Sequence, residues 1–138
     1  MRILAVDLGR ARIGLAVGVD EFKVVTPRPA LAASGKLKTD AANIAEVAKR
    51  EEAESVVLGL PIEEDGEEGS MARIARLLAG HLTELGLKVA LVDERFTSVE
   101  AESSLRSTEL KAAGRRKLRD GEAASLILER YWDGGTIA

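Results

Sequence analysis

The sequence contains no cysteine and a single histidine, His81. A disulfide framework and a thiolate-built zinc or iron–sulfur site are thereby excluded. Aromatic residues make up only 3% of the chain, which argues against a nucleic-acid surface that works by stacking bases. No apolar run approaches the ~20 residues that a membrane-spanning helix needs. The N-terminus runs straight into a strand pattern, without the basic region and long apolar core of a secretory signal. A cytoplasmic protein without membrane contact is expected. A basic surplus is also missing: the net charge is −3, whereas a general nucleic-acid coat protein is basic. What remains is a 138-residue chain with 46% hydrophobic and 31% charged residues, the profile of one soluble globular domain over residues 1–138.

The apolar segments alternate in type. Residues 3–6 and 13–17 read as two short strands rich in branched residues. Residues 21–31 alternate like a third, and Pro27 and Pro29 suit an edge position. Thr39 or Asp40 can cap a helix whose apolar face is Ala41, Ile44, Val47 and Ala48. Residues 54–61, "ESVVLGLP", form the continuous apolar run of a buried parallel strand. A helix from Ser70 presents Ile74, Leu77, Leu78, Leu82 and Leu85, and Gly86 supplies its stop. Residues 87–94 give the next strand, and "TSVE" (97–100) has capping-box spacing for a further helix. Gly114 and a basic run are expected to interrupt that helix, and Asp120 to open a last one over 120–132. Right-handed crossovers then give an α/β fold. Its mixed five-stranded sheet combines an antiparallel three-strand meander with two parallel strands, and helices cover both faces.

Ligands of such sheets bind beyond the carboxyl ends of the parallel strands. Asp7 stands there, at the end of the most apolar strand, where an ionised carboxylate is costly without a partner. Asp93 and Glu94 stand at the end of the last strand; because side chains alternate, only one of them can join Asp7. Asp120 has Ala123, Ala124, Ile127 and Tyr131 on its side of the last helix. Each acid also has an ordinary reading: Asp120 as an N-cap, Asp7 as a turn acceptor, and the strand-end acid as a partner of Arg95. Together, clustered carboxylates suit hard divalent cations such as Mg²⁺ or Mn²⁺. Two such ions support phosphodiester hydrolysis. Charge is unevenly spread as well. "PIEEDGEEG" (61–69) carries five acids and no base, whereas Lys111, Arg115, Arg116, Lys117 and Arg119 form a run without acids.

Four stretches in this order, "VDLGRARIGLAVG", "VVLGLPIEEDGEEG", "DERFTS" and "DGEAASLILERYW", resemble the YqgF (RuvX) family over nearly the whole chain. The resemblance implies an RNase H-like fold related to RuvC, with an acidic metal site. It places the catalytic, metal-holding acids on Asp7, Glu94 and Asp120, with a divalent cation, Mg²⁺ or Mn²⁺, as two ions. Family members are described as nucleases that mature the 5′ end of precursor 16S rRNA, and in an older assignment as Holliday junction resolvases. Nucleic acid is therefore the expected partner, precursor rRNA ahead of branched DNA, for a monomer or homodimer. Gly9, Arg10, Arg12 and Arg95, with Lys111, Arg115, Arg116, Lys117 and Arg119, are the expected contacts to it. The alternatives are a resolvase and a non-catalytic RNA-binding assembly factor. A nucleotide-binding domain of the actin, Hsp70 and sugar-kinase type is disfavoured, since that type closes two lobes over ATP.

Overall fold

The computed structural model describes residues 1–63, 65–94 and 112–137, with backbone alone for 112–120. Five strands form one sheet in the order β3-β2-β1-β4-β5. They are β1 (Arg2–Leu8), β2 (Arg12–Val19), β3 (Val24–Ala32), β4 (Ala53–Leu60) and β5 (Lys88–Asp93). The β1–β2 and β2–β3 pairs are antiparallel, and β1–β4 and β4–β5 are parallel. The meander and crossovers thus stand as the sequence pattern implies, and β3, with Pro27 and Pro29, lies at an edge. At the other edge the chain end returns: Ile137 N–H donates to the Leu91 carbonyl at 2.8 Å, and Val92 bridges Thr136. That strap covers backbone groups an edge strand would otherwise leave open.

Alternation along the strands builds two cores. Leu4, Val6 and Leu8 face α1 (Leu37–Arg50) and α2 (Ser70–Glu84), and pack with Ile44, Ala48, Ala75 and Leu78. Ile3 and Ala5, with Val57 and Val92, face α3 (Ala112–Trp132) through Ala124, Ile127 and Leu128. Every second residue of β1 therefore belongs to the α3 side, and Asp7 follows Ile3 and Ala5 onto it.

Three local expectations change. The helix α1 starts at Leu37, before Thr39 and Asp40, because Ser34 organises the approach. The Ser34 hydroxyl accepts the Lys36 N–H, and Asp40 Oδ1 accepts the Ser34 N–H at 2.9 Å. On α2, Leu77 and Leu85 are exposed, and Ala72 and Ala75 take the buried places; alanines let α1 and α2 approach where a leucine would hold them apart. Gly86 does end the segment, at φ 91°, in the left-handed region glycine tolerates. Finally, α3 runs through Gly114 without a break, so Asp120 lies inside it and cannot be its N-cap. A mid-helix glycine costs only about 1 kcal/mol, less than the packing of the helix's second half returns. The expected capping box at 97–100 lies outside the described residues.

Candidate active site

Asp7 is a half-buried residue next to the end of the central strand β1. On one side it pairs with Gly14 of β2. On the other, Val6 pairs with Leu58 of β4, so the next β4 residue beside Asp7 is Gly59. The Asp7 carboxyl is therefore flanked on both neighbouring strands by residues without side chains. Glu94 continues β5 by one residue, its N–H donating to the Leu60 carbonyl at 3.2 Å. It shares the α3 face with Val92, whereas Val89 and Leu91 pack toward the opposite core. Strand parity thus brings Glu94, and not Asp93, onto the side of Asp7.

Glu94 reaches across β4 by passing over Gly59. A Cβ on Gly59 would stand 2.6 Å from Glu94 Oε2 and 2.6 Å from Ile127 Cδ1, closer than real carbon contacts come. This glycine is a residue that pattern reading passes over. Its signal was available: a glycine in a buried strand weakens it, and marks a close approach of another group. Across that gap the Asp7 carboxyl is the charged and hydrogen-bonding neighbour of Glu94. Burial, the adjacent Asp7 charge, that hydrogen bond and the Asp93 charge push the Glu94 carboxyl up to about 10. The pair is electrostatically unsettled in a way that a cation would relieve.

The other expected site residues divide into three groups. Gly9 lies in the β1–β2 turn, where its N–H donates to the Arg12 carbonyl at 2.9 Å; a Cβ there would come within 2.5 Å of that same oxygen. Its lack of a side chain thus serves the turn itself. Arg10 is exposed at that turn and Arg12 half-buried at the start of β2. Arg115, Arg116, Lys117 and Arg119 occupy the helix positions of α3 that precede Asp120, itself one turn before Ala124. Arg95 and Lys111 lie outside the described residues. Among the described residues no cluster of three metal-ligating side chains occurs, and the Asp120 side chain is not one of those described.

The part of α3 at Asp120 is brought close to the sheet by the residue after it. A Cβ on Gly121 would meet Pro27 Cβ at 2.8 Å, so the glycine lets α3 lie close on β3. The acidic loop after β4 folds on itself at the same end of the sheet. Ile62 bridges Glu68, and Glu68 holds Arg76 through bonds of 2.7 and 2.6 Å. That contact keeps the Glu68 carboxyl below its ordinary range.

Over residues 1–134 the sequence matches the family model for RuvX, described as Holliday junction resolvase. The chain belongs to the RuvX family. A relative from Anaeromyxobacter dehalogenans (strain 2CP-C), named "Putative pre-16S rRNA nuclease", is 45% identical over 134 residues, 96% of this chain and 97% of the relative. A RuvX relative from Opitutus terrae bears the same name at 41% identity over 96% of this chain and 92% of its own. Among solved structures, Thermus thermophilus RuvC with a Holliday junction substrate superposes with a TM-score of 0.59. The identity there is 19%, and the match covers 99% of each chain. The likeness to RuvC shows the RNase H-like fold. Family and relatives agree on phosphodiester hydrolysis: this is a nuclease of the RuvX family. Among the described residues no helix is long and apolar enough to cross a membrane.

Proposed function

We propose that this RuvX-family nuclease cuts precursor 16S rRNA in a reaction that depends on a divalent cation, with Asp7, Glu94 and Asp120 as its acids. The observation that carries this reading is the Asp7–Glu94 pair, two carboxyl groups brought together at the carboxyl ends of β1 and β5. The fit to a hard cation rests on the donors. Both are carboxylate oxygens, the sequence has no thiolate, and a cation held there would relieve the repulsion between the two acids. Asp120, on the helix that covers this face, is the third acid. Mg²⁺ or Mn²⁺ bound by these residues would supply Lewis-acid activation of water and of the phosphoryl group.

The protein's own groups have separable tasks. Asp7 and Glu94, ionised, would hold the cation through their carboxylate oxygens. Gly59 leaves the room through which Glu94 reaches toward Asp7. Arg10 and Arg12, three and five positions beyond Asp7, neutralise neighbouring phosphates, as does the basic run before Asp120. The acidic loop at 61–69 repels the strand from its own side, which leaves the β1–β2 turn as the approach.

A resolvase is the second reading, favoured by the family model's description. The deciding assay offers a precursor 16S rRNA 5′ leader, plain single-stranded RNA and a synthetic four-way DNA junction, each with Mn²⁺, Mg²⁺ or EDTA. The expected result is metal-dependent cutting of the leader by the wild-type chain and none by Asp7→Asn. Preferred, paired cuts in the junction would select the resolvase. Tight binding with no cutting of any substrate would instead support a binding-only assembly factor.

A further inference from the structure

The carboxyl end of the sheet carries a cavity of about 460 Å³ on the face opposite Glu94. It opens between the first turns of α1 and α2. Leu8, Leu37, Met71 and Ile74 give it apolar walls, and Gly9 and the exposed Arg10 line it from the β1–β2 turn. Besides Arg10, one further charged group lines it. Asp40 also lines the cavity and is only 3% exposed. Its Oδ1 accepts the Ser34 N–H at 2.9 Å, and among the described residues its side chain makes no other hydrogen bond or ion pair. A carboxylate accepts at both oxygens, so Asp40 keeps acceptor capacity beside a mostly apolar space whose other polar side chains are Arg10 and Ser70; a buried acceptor left short of donors is costly.

The complement of such a space is flat and apolar on its faces, and bears hydrogen-bond donors along one edge. A nucleobase has this form. Guanine matches the carboxylate best, because its imino N–H and amino group present two adjacent donors. Uracil places carbonyls on either side of its imino N–H, and a carboxylate repels them. A phosphate is drawn to helix starts, but in this cavity it would meet the charge of Asp40. The location fits a nucleic-acid strand as well. Gly9 is two residues past Asp7, about 7 Å along an extended chain. A strand with one phosphate at Asp7 therefore brings its neighbouring base to the cavity and its next phosphate to Arg10. Bases of single-stranded RNA are free to splay out in this way.

We propose that this cavity is a base pocket in which Asp40 reads a guanine adjacent to the cleaved bond. Its place along the strand rests on the nuclease reading above. The test uses the full chain in EDTA and nine-nucleotide uridine strands carrying a single guanosine at each position in turn. Fluorescence anisotropy gives the Kd of each. One position is expected to bind about tenfold tighter than the all-uridine strand, the order of a good two-point base contact. Asp40→Asn, which can still accept the Ser34 N–H, loses that gain and leaves the all-uridine Kd unchanged. Ile74→Trp, which fills the cavity while keeping Asp40, loses it too. A flat profile across positions, or a gain that survives both substitutions, overturns the pocket. Cleavage of the precursor 16S rRNA leader in Mn²⁺ is read separately. Leader cutting with a flat binding profile removes only the pocket, a positional gain without leader cutting removes only the rRNA-cleavage reading, and the absence of both strand binding and leader cutting removes both.

Discussion

The two ends of this sheet handle buried charge in opposite ways. Near the amino ends of β1 and β4, Glu51 is met by two guanidinium groups. Arg28 Nε lies 2.9 Å from its Oε1, and Arg2 Nη2 lies 3.3 Å from its Oε2. The Arg28 hydrogen bond leads in holding the Glu51 carboxyl below its ordinary range, with Arg2 adding to it. At the carboxyl ends, Glu94 meets Asp7, and its carboxyl is pushed up to about 10. One end spends its charges on holding the fold together. The other leaves two acids facing each other across a glycine. An arrangement that costs stability and persists is the mark of a site.

This contrast can be broken most sharply through Asp7. Asp7→Asn keeps the volume and a hydrogen bond to Glu94 but removes a cation ligand, and the cleavage rate should fall by about a thousandfold or more. Thermal unfolding of the variant should show the fold intact. Gly59→Ala comes next: its methyl group occupies the path of Glu94 and presses on Ile127. A misplacement of about 1 Å costs on the order of a hundredfold in rate, and the overpacking costs about 1–3 kcal/mol. Single-turnover rates and a denaturant titration separate the two effects.

Glu94→Gln should act in opposite directions on function and stability. Because the folded carboxyl titrates above the unfolded one, the folded state holds the extra proton between about pH 4 and 10. Ionisation of the unfolded chain therefore erodes stability as pH rises through that window. The glutamine variant escapes this loss, and the metal-free protein at pH 7 should gain about 1 kcal/mol or more, roughly 4 °C in Tm. Adding Mn²⁺ should raise the Tm of the wild-type chain and leave the variant's nearly unchanged.

The smallest effect belongs to the other end. Glu51→Gln should lower stability by about 1 kcal/mol at neutral pH, since its half-buried pairing is worth little more than a surface ion pair. Here the sign reverses. The folded carboxyl is depressed, so its contribution is present above the unfolded value and is lost as pH falls below about 4. Wild type and variant should converge in acid, read by thermal unfolding across pH.

Much of this arrangement was legible in the sequence because strand parity and turn chemistry are local. The prolines of β3, the apolar run of β4 and the alternation in β5 lead to the observed sheet, and Asp7 follows from its place at a strand end. That only one of Asp93 and Glu94 can join Asp7 was also readable. Which one it is needs the knowledge that α3 covers the face of Ala5 and Val92, a tertiary fact. Gly59 was passed over for a related reason: its importance lies in a side chain from another strand. The sequence pattern starts the last helix at Asp120 because Gly114 and a run of bases look like a break locally, whereas the packing of Ala124, Ile127 and Leu128 supports a helix that begins at Ala112. Periodicity puts Leu77 and Leu85 on one face with Leu78 and Leu82, yet both are exposed, because periodicity counts leucines and overlooks the alanines that allow close helix contact.

The most direct test of the central claim is a calorimetric titration of Mn²⁺ into the metal-free chain at pH 7, in two buffers of different ionisation heat. If Asp7 and Glu94 share a proton that a cation displaces, binding releases that proton, the measured heat depends on the buffer, and Asp7→Asn abolishes the signal. Absence of binding, or buffer-independent heat that Asp7→Asn leaves unchanged, would contradict the assignment of this acid pair as the cation site.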